Sequence, residues 1–595
     1  MRRCHLRRCT RTFTLCCALI AALGCGDHEP GPTEQRVLDL IGERRLASSA
    51  GVLSADEVVA ADETWVAVAL SPGQRVHTRL TLGHDASLTL GGFLQCGENR
   101  EGGTEGILRV GLHEGRGGKS HFEVDLGAAG GWWTRKVALD AGGGQEASLW
   151  LEPEIDEGCS LFLREATVIH QVPVAEGAAA PTQILLISVD TLRGDAVGSL
   201  GGAVQTPSLD RFVSEAEAWS RHYAAASWTK PSHASMLTGF YPETHRAINL
   251  EQAMDPGIPT LAGRLRSTGL TTAALVFDCT WLSPRWGFDK GFDSYRVTRW
   301  RAGRQARMAG EWVLDHRDEN FFFFLHTFEP HSDFAILPYE APGLNRMSIA
   351  QRFSVRGFGC RDGLCASQFV NGLHHGDVAL EEQDAEILRY TYDEGVRYLD
   401  GALGQLFDTL RASGVWEQML VVVTSDHGEA FGERGEFGHN TVHEEVVRVP
   451  LIIKWPYGAG RGEIHTDLRS AIDVAPTLLE YAGLSADGLP GQDLRAPRQE
   501  EAVFTGTLVK AVIIGDLKGI FDRKSPPRIY DLATDPGEEN QLGGGDAVRE
   551  LRGLLRRHHQ ASSDLYRRFG SQGEANQVDL SEAERERLRA FGYVE

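Results

Sequence analysis

Residues 421–429 read VVVTSDHGE, an apolar strand that runs directly into Asp426 and His427. A second apolar run, ILLISVDTLR at 184–193, ends in the same way at Asp190. Buried parallel strands are unbroken apolar runs, and their carboxyl ends meet at one edge of the sheet. Two carboxylates and an imidazole at such an edge suit a divalent metal ion. The sequence therefore predicts a metal site between these two strands.

The rest of residues 182–484 alternates apolar strands with segments of helical pattern. This alternation predicts a layered α/β domain whose site lies at the carboxyl ends of its strands. A smaller subdomain is predicted at 485–545, and a charged helical tail at 546–595.

The N-terminal third of the chain has a different pattern. Residues 56–172 are short alternating runs separated by glycine-rich turns, which is typical of an antiparallel β-sandwich. Residues 173–181 are a linker by composition. Residues 26–55 are interpreted as a tether that contains one short amphipathic helix at Glu34–Leu46.

The first 25 residues have the composition of an export signal. A basic stretch precedes an apolar stretch that is too short to span a bilayer, and Cys25 follows a small residue. This pattern predicts a bacterial lipoprotein with Cys25 as the lipid anchor, periplasmic or membrane-attached, and ordinary secretion is the alternative. The net charge of −22 makes nucleic acid an unsuitable partner.

An exported chain permits disulfide bonds, although spacing does not fix their connectivity. Cys96 and Cys159 lie in the same β-rich region and are one candidate pair. Cys360 and Cys365 bracket a tight loop and are a second candidate pair. Cys279 is left over and is expected to be a buried thiol.

Thr229 lies in SWTKPSHASMLTG at 227–239, which has the features of a short helix. Pro231 suits the first helical turn and Gly239 suits the C-terminal end. The N–H groups and the dipole of such a helix attract a phosphate or sulfate group. Thr229 is therefore predicted to be both a metal ligand and the nucleophile. The alternative is that Thr229 only caps the helix.

Four histidines are candidates for proton transfer or for binding a substrate oxygen. His331 follows the strand FFFFLHT, and His439 follows the Asp-His-Gly segment after a glycine-rich loop. His233 is one helical turn beyond Thr229. We expect direct roles in the order His331, His439, His233, whereas His326 is expected to be structural.

The chain resembles the sulfatase family of the alkaline phosphatase superfamily over about residues 182–545. The motifs that carry this resemblance include ISVDTLRGD, TPSLDRF, SWTKPSHASMLTGFYPETH, GFDKGFDSY, HTFEPHSDF, VVTSDHGEAFGERGEFGH, RVPLIIKWP, IDVAPTLLEYAGL and YDLATDPGEENQL. The resemblance implies an alkaline phosphatase-like α/β fold with a central mixed sheet and a small C-terminal antiparallel sheet. It also implies metal-dependent cleavage of sulfate or phosphate esters.

The chain departs from the usual sulfatase motifs at the proposed site. Thr229 stands where the family has a cysteine or serine that becomes formylglycine, so no formylglycine is expected. His233 replaces the arginine of that motif, and His427 follows Asp426 where an asparagine is usual. The set Asp190, Thr229, Asp426 and His427 resembles that of the superfamily's phosphoglycerol and phosphoethanolamine transferases. Imidazole ligation favours one Zn²⁺ or Mn²⁺ over Ca²⁺.

These features lead to one main hypothesis and two alternatives. The first is an exported metal-dependent hydrolase of sulfate or phosphate esters, with Thr229 as direct nucleophile and His331 or His439 at the leaving oxygen. Its partner is an anionic ester, such as a glycan or a lipid headgroup. The second is a phospho-headgroup transferase, and the third is a non-catalytic protein that binds an anionic glycan.

Overall fold

The computed structural model describes residues 182–332, 338–343, 382–497 and 502–571, and short pieces at 369–370, 372–373 and 577–578. It also describes the strands between residues 33 and 173, with gaps between them. The signal segment with Cys25, and the pair Cys360 and Cys365, lie outside the described residues. Of the described residues, none belongs to a helix long and apolar enough to cross a membrane.

Eight strands form the central part of the largest sheet, in the order β16-β15-β17-β13-β18-β21-β14-β22. The strands of this region are β13 (Gln183–Val189), β14 (Glu217–Tyr223), β15 (Thr271–Phe277), β16 (Ser294–Thr298), β17 (Phe321–Thr327), β18 (Leu420–Ser425), β19 (Ala430–Phe431), β20 (Phe437–Gly438), β21 (Arg448–Lys454), β22 (Glu463–His465) and β23 (Arg469–Ser470). β13 is parallel to both β17 and β18, whereas β21 is antiparallel to β18. The sheet is therefore mixed, and the predicted α/β fold is confirmed.

Helices cover this sheet and pack against its apolar side chains. The helices described within residues 182–484 are α1 (Pro207–Ser214), α2 (Thr229–Thr238), α3 (Pro242–His245), α4 (Leu261–Arg266), α5 (Ala302–Asp315), α6 (Glu382–Ser413), α7 (Glu444–Val447) and α8 (Val474–Tyr481), and α9 (Gly545–Phe569) follows the C-terminal sheet. In β13, Leu185 and Ile187 belong to one buried cluster, and Ile184 and Leu186 belong to the cluster on the opposite face. Burial on both faces explains why these strands are unbroken apolar runs.

The regular elements described between residues 33 and 173 are strands, as the alternating pattern of residues 56–172 predicted. They are β1 (Thr33–Asp39), β2 (Ala47–Ser48), β3 (Gly51–Val52), β4 (Asp56–Ala60), β5 (Glu63–Leu70), β6 (Val76–Leu82), β7 (His84–Cys96), β8 (Glu105–Glu114), β9 (Gly118–Ala128), β10 (Trp132–Ala138), β11 (Gln145–Glu154) and β12 (Cys159–Pro173). β5 pairs with β16, so one sheet of this region continues the central sheet. Cys96 and Cys159 lie opposite each other in β7 and β12 and form a disulfide bond.

The helix predicted at Glu34–Leu46 is wrong over its first residues. Thr33–Asp39 is a strand that pairs antiparallel with β12 along seven residues. Pairing satisfies backbone N–H and C=O groups on β12, and such tertiary contacts override a local helical pattern.

Beyond the central domain, four antiparallel strands form a small sheet, as the resemblance implied. They are β24 (Ala502–Thr505), β25 (Lys510–Ile514), β26 (Leu517–Phe521) and β27 (Arg528–Asp531). The helix α9 packs on this sheet through Leu551, which is fully buried. His558 of α9 stacks on Phe504 at a ring-centroid distance of 4.0 Å. The described part of the charged tail is therefore packed against the folded domain.

Candidate metal and catalytic centre

Strand register brings Asp190 and Asp426 to the same place. β13 lies between β17 and β18, and Val189 is in register with Ser425. Each carboxylate is the residue that follows this register pair, so both emerge at the carboxyl edge of the sheet. Both side chains are fully buried. The two-strand metal site predicted from the sequence thus has a direct geometric basis.

Asp190, Asp426 and His427 offer ligand atoms that all lie within 4.8 Å of one another. His427 Nε2 is 3.3 Å from Asp426 Oδ2 and 3.5 Å from Asp190 Oδ1. Within the described residues, neither of these two buried carboxylate oxygens has a hydrogen-bond partner. Buried oxygens without donors are costly unless a cation satisfies them. The residues present therefore fit a divalent metal ion.

The hydrogen bond at the other ring nitrogen determines the tautomer of His427. Its Nδ1 is 2.9 Å from the carbonyl oxygen of Gly428, so Nδ1–H donates and Nε2 presents its lone pair to the carboxylates. Burial, and then the neighbouring His439, lower the pKa of His427 well below its ordinary value. Gly428 allows this close turn, because a Cβ there would lie 2.2 Å from the carbonyl oxygen of Glu445.

The two carboxylates have opposite pKa shifts. Burial raises the pKa of Asp190, but the surrounding imidazoles, His331 first, outweigh it and hold this pKa below the usual carboxylate range. Burial, and then the charge of Asp190, raise the pKa of Asp426 well above its ordinary value. Without a cation the two acids compete for ionisation, and a bound divalent ion would allow both to be ionised.

Thr229 is the first residue of α2 and lies at the predicted centre. Its Oγ1 is 3.5 Å from His427 Nε2 and is buried. Trp228 occupies the N-cap position, so the interpretation of Thr229 as only a capping residue is wrong. At the N-terminus of α2, where Thr229 lies, the free N–H groups and the positive end of the helix dipole both attract an anion. Thr229 is thus placed to contact both a metal ion and an anionic group.

His233 lies at the centre, but its ring nitrogens face protein groups. Its Nδ1 is 2.9 Å from the carbonyl oxygen of Thr229, and its Nε2 is 2.9 Å from Ser188 Oγ. Nδ1 also lies 3.4 Å from Asp426 Oδ2. Nδ1–H therefore donates to Thr229, and Nε2 accepts from the hydroxyl of Ser188. This arrangement favours a positioning role for His233 over the direct role expected from the sequence.

His331 and His439 both lie beside the candidate metal ligands, where the sequence predicted them. His331 Nε2 is 3.9 Å from Asp190 Oδ1. The ring of His439 lies 4.5 Å from that of His427 and 5.4 Å from that of His331, measured between centroids. The side chains of His331 and His439 are both buried. Either imidazole is close enough to the centre to contact a substrate oxygen.

The sequence analysis expected only a structural role for His326, but the structure places this side chain beside Asp190. Its Nδ1 accepts the backbone N–H of Phe277 at 3.3 Å, so the proton of the neutral ring is on Nε2, which lies 3.3 Å from Asp190 Oδ2. His326 therefore donates to the candidate metal ligand Asp190 and orients it, as imidazoles and carboxylates around metal sites commonly do. A signal was available, since His326 is the one charged or titratable side chain of FFFFLHT, the strand that pairs with β13.

Cys279 approaches the same carboxylate from the loop after β15. Cys279, Asp190 and His326 offer atoms within 4.8 Å of one another. The proton on His326 Nε2 removes the lone pair that a metal would need. Burial raises the pKa of the Cys279 thiol well above its ordinary value. Cys279 is a free thiol, as expected, and is only partly buried.

Residues 182–484, just over half of the 595 residues, match the family model described as Sulfatase. The chain belongs to the sulfatase family. The family predicted from the sequence is confirmed.

Relatives and solved structures agree with this assignment. The chain is 26% identical over 478 residues to the multifunctional alkaline phosphatase superfamily protein PehA of Trinickia caryophylli, which covers 62% of this chain and 92% of the relative. It is 26% identical over 391 residues to the N-acetylgalactosamine-6-sulfatase of Canis lupus familiaris, covering 58% of this chain and 73% of the relative. The fold matches the crystal structure of the phosphonate monoester hydrolase of Agrobacterium radiobacter with a TM-score of 0.52 and 20% identity, over 67% of this chain and 100% of the other.

Proposed function

We propose that this sulfatase-family ester hydrolase uses a divalent metal ion and the hydroxyl of Thr229 as its nucleophile. One observation carries the proposal. Four side-chain atoms lie together at one place in the described part of the chain. They are Thr229 Oγ1, His427 Nε2 and two buried carboxylate oxygens that receive no hydrogen bond from the described residues. The match of residues 182–484 to the sulfatase family supports the reaction class, which is hydrolysis of sulfate or phosphate esters.

Asp190, Asp426, His427 and Thr229 would hold the metal. The presence of an imidazole among the ligands favours Zn²⁺ or Mn²⁺ over Ca²⁺. Such an ion supplies Lewis acidity, which lowers the pKa of a hydroxyl and stabilises charge that develops on an ester oxygen. The N-terminus of α2 adds a second electrostatic attraction for the anionic group.

The reaction has two steps in this proposal. In the first, the Thr229 hydroxyl gives up its proton, a bond forms between Oγ and phosphorus or sulfur, and the bond to the leaving oxygen breaks. His331 or His439 gives a proton to that oxygen. In the second, water attacks the threonine ester, the acid is released, and Thr229 Oγ regains a proton. Because threonine lacks the second hydroxyl of hydrated formylglycine, this release requires direct attack by water, which favours phosphate esters over sulfate esters.

Two further parts of the function are proposals drawn from other observations. The basic and apolar composition of residues 1–25 supports export to the periplasm, with Cys25 as a lipid anchor. Relatives named as sulfatases of amino sugars support an anionic glycan as one substrate class, and lipid headgroup esters are the other.

A panel of aryl sulfate, phosphate monoester, phosphodiester and phosphonate ester tests this proposal. Each ester is assayed with chelated protein and after addition of Zn²⁺, Mn²⁺ or Ca²⁺. We expect chelation to abolish hydrolysis, and Zn²⁺ or Mn²⁺ to restore it better than Ca²⁺. Rapid quenching and peptide mass analysis should find the transferred group on Thr229. Full activity after complete metal removal would contradict the proposal, and so would an adduct on another residue.

A further inference from the structure

A two-stranded hairpin brings Glu429 and His439 together. β19 and β20 pair antiparallel, with Ala430 opposite Gly438. The next residues outward are Glu429 on one strand and His439 on the other, so the two side chains meet beside the end of the hairpin. Gly438 has a φ of 76°, a left-handed conformation that glycine adopts without strain and that turns the chain into His439. The hairpin thus fixes a carboxylate next to an imidazole.

Both oxygens of Glu429 accept hydrogen bonds. Oε2 is 2.9 Å from His439 Nδ1, and Oε1 is 2.7 Å from the hydroxyl of Tyr339. Glu429 is fully buried. Because an ionised carboxylate only accepts, Nδ1 of His439 must carry the proton in this contact. Glu429 therefore determines which edge of the His439 ring faces away from it, and that edge carries Nε2.

The ring of His439 lies on the metal-centre side of this contact. It packs against His427 and lies near His331, as its centroid distances of 4.5 Å and 5.4 Å show. A buried carboxylate that accepts Nδ1–H fixes the ring in one orientation and one tautomer. His331 has a different environment, since its Nε2 lies 3.9 Å from the metal ligand Asp190.

We propose that Glu429, supported by Tyr339, is a positioning residue that makes His439 the proton donor to the leaving oxygen. This inference rests on the proposed function and chooses between the two histidines that it left open. In the first step Nε2 of His439 takes the proton of the Thr229 hydroxyl as Oγ bonds to phosphorus, and passes that proton to the leaving oxygen as this oxygen separates. In the second step Nε2 takes a proton from the attacking water and gives it to Thr229 Oγ as the bond between Oγ and phosphorus breaks. The ring ends in its starting state.

Leaving-group dependence tests the inference directly. Kinetics are measured with 4-nitrophenyl and phenyl esters of the same acid, because phenolate needs protonation more than 4-nitrophenolate does. The variants are Glu429→Ala, Glu429→Gln, His439→Ala and the double variant of Glu429→Ala with His439→Ala. Glu433→Gln is the matched control, since it removes a charge from the same hairpin at a residue that pairs with Arg193.

We expect Glu429→Ala to lower kcat roughly 100-fold for the phenyl ester and much less for the 4-nitrophenyl ester, with little change in KM. Glu429→Gln should retain most activity, because its amide oxygen still accepts Nδ1–H. The double variant should be no slower than His439→Ala alone, since Glu429 acts through His439. Glu433→Gln should match the wild type on both esters.

The role of Glu429 would be overturned if the double variant lost kcat by the product of the two single-variant factors. It would also be overturned if Glu429→Ala lowered kcat equally for the phenyl and the 4-nitrophenyl ester. The proposed function would survive that result if Thr229→Ala still abolished hydrolysis. Hydrolysis that persists in Thr229→Ala would instead remove the proposed function, and this inference with it.

Discussion

The hydroxyl of Thr229 lies 3.5 Å from Nε2 of His427, although 198 residues separate them in the chain. The same nitrogen faces buried oxygens of Asp190 and Asp426. A hydroxyl, an imidazole and two carboxylates from three segments of the chain therefore share one centre.

Replacing the hydroxyl of Thr229 should remove catalysis. We expect Thr229→Ala to lower kcat/KM by roughly 10³-fold or more, because no covalent intermediate can form. Thr229→Ser keeps a hydroxyl at the same position and should retain measurable turnover with a serine adduct in mass analysis. Equal activity of the alanine and serine variants would show that the hydroxyl does not react.

His326 should control metal affinity without binding the metal. His326→Phe removes the donor to Asp190 Oδ2, and we expect the metal dissociation constant to rise roughly 10- to 100-fold. His326→Gln places an amide N–H near the position of Nε2–H and should restore most of the affinity. Competition titration with a chromogenic chelator measures both constants. Unchanged affinity in His326→Phe would contradict the orienting role.

His233 should act by holding the backbone of Thr229 in place. An asparagine amide at position 233 can reproduce Nδ1–H, which contacts the carbonyl oxygen of Thr229, whereas a glutamine amide reproduces the Nε2 side, which contacts Ser188. We expect His233→Asn to retain more activity than His233→Gln. Neither amide transfers protons, so a direct acid–base role would instead lower kcat equally in both variants.

Glu329 should make stability fall between about pH 4.5 and pH 7. Burial raises the pKa of Glu329 from its ordinary 4.5 to about 7, against the attraction of Arg301 and the hydrogen bond from Ala302 N–H. The folded state therefore keeps a proton that the unfolded state has lost in this range, and stability decreases as pH rises until both states are ionised.

The size of this loss is on the order of 3 kcal/mol. Glu329→Gln keeps an acceptor for Ala302 N–H but does not titrate. The variant should therefore gain stability relative to the wild type as the pH of urea unfolding is raised from 5 to 8. A constant difference across this range would show that Glu329 does not titrate there.

Lys518 should be required for stability, because it joins the C-terminal sheet to the central domain. Its ammonium group is fully buried, 2.8 Å from Glu444 Oε1 and 3.0 Å from Glu538 Oε1. Lys518→Met leaves buried carboxylates without their cation, and we expect a loss of about 3 to 5 kcal/mol in urea unfolding. The exposed pair of Arg307 and Glu311 provides the control, since Arg307→Met should cost about 1 kcal/mol or less.

The sequence predicted the positions of those candidate site residues that stand directly after a strand. Asp190 and Asp426 follow apolar runs directly, and a parallel sheet places such ends side by side. Prediction from the sequence failed where a residue's role depends on a partner across the fold. His326 depends on the backbone of Phe277 in a neighbouring strand, and Glu429 depends on a hairpin that returns to His439.

The sequence by itself determined the α/β layering, the family and the four residues of the candidate centre, because hydrophobic periodicity and motif order are local properties. Only the tertiary structure decided which ring nitrogen of each histidine faces the centre, since a tautomer is fixed by a hydrogen-bond partner that is distant in the chain or opposite in a hairpin. It also decided that Thr33–Asp39 is a strand, because the backbone groups of β12 offer hydrogen bonds that local helical preference does not outweigh.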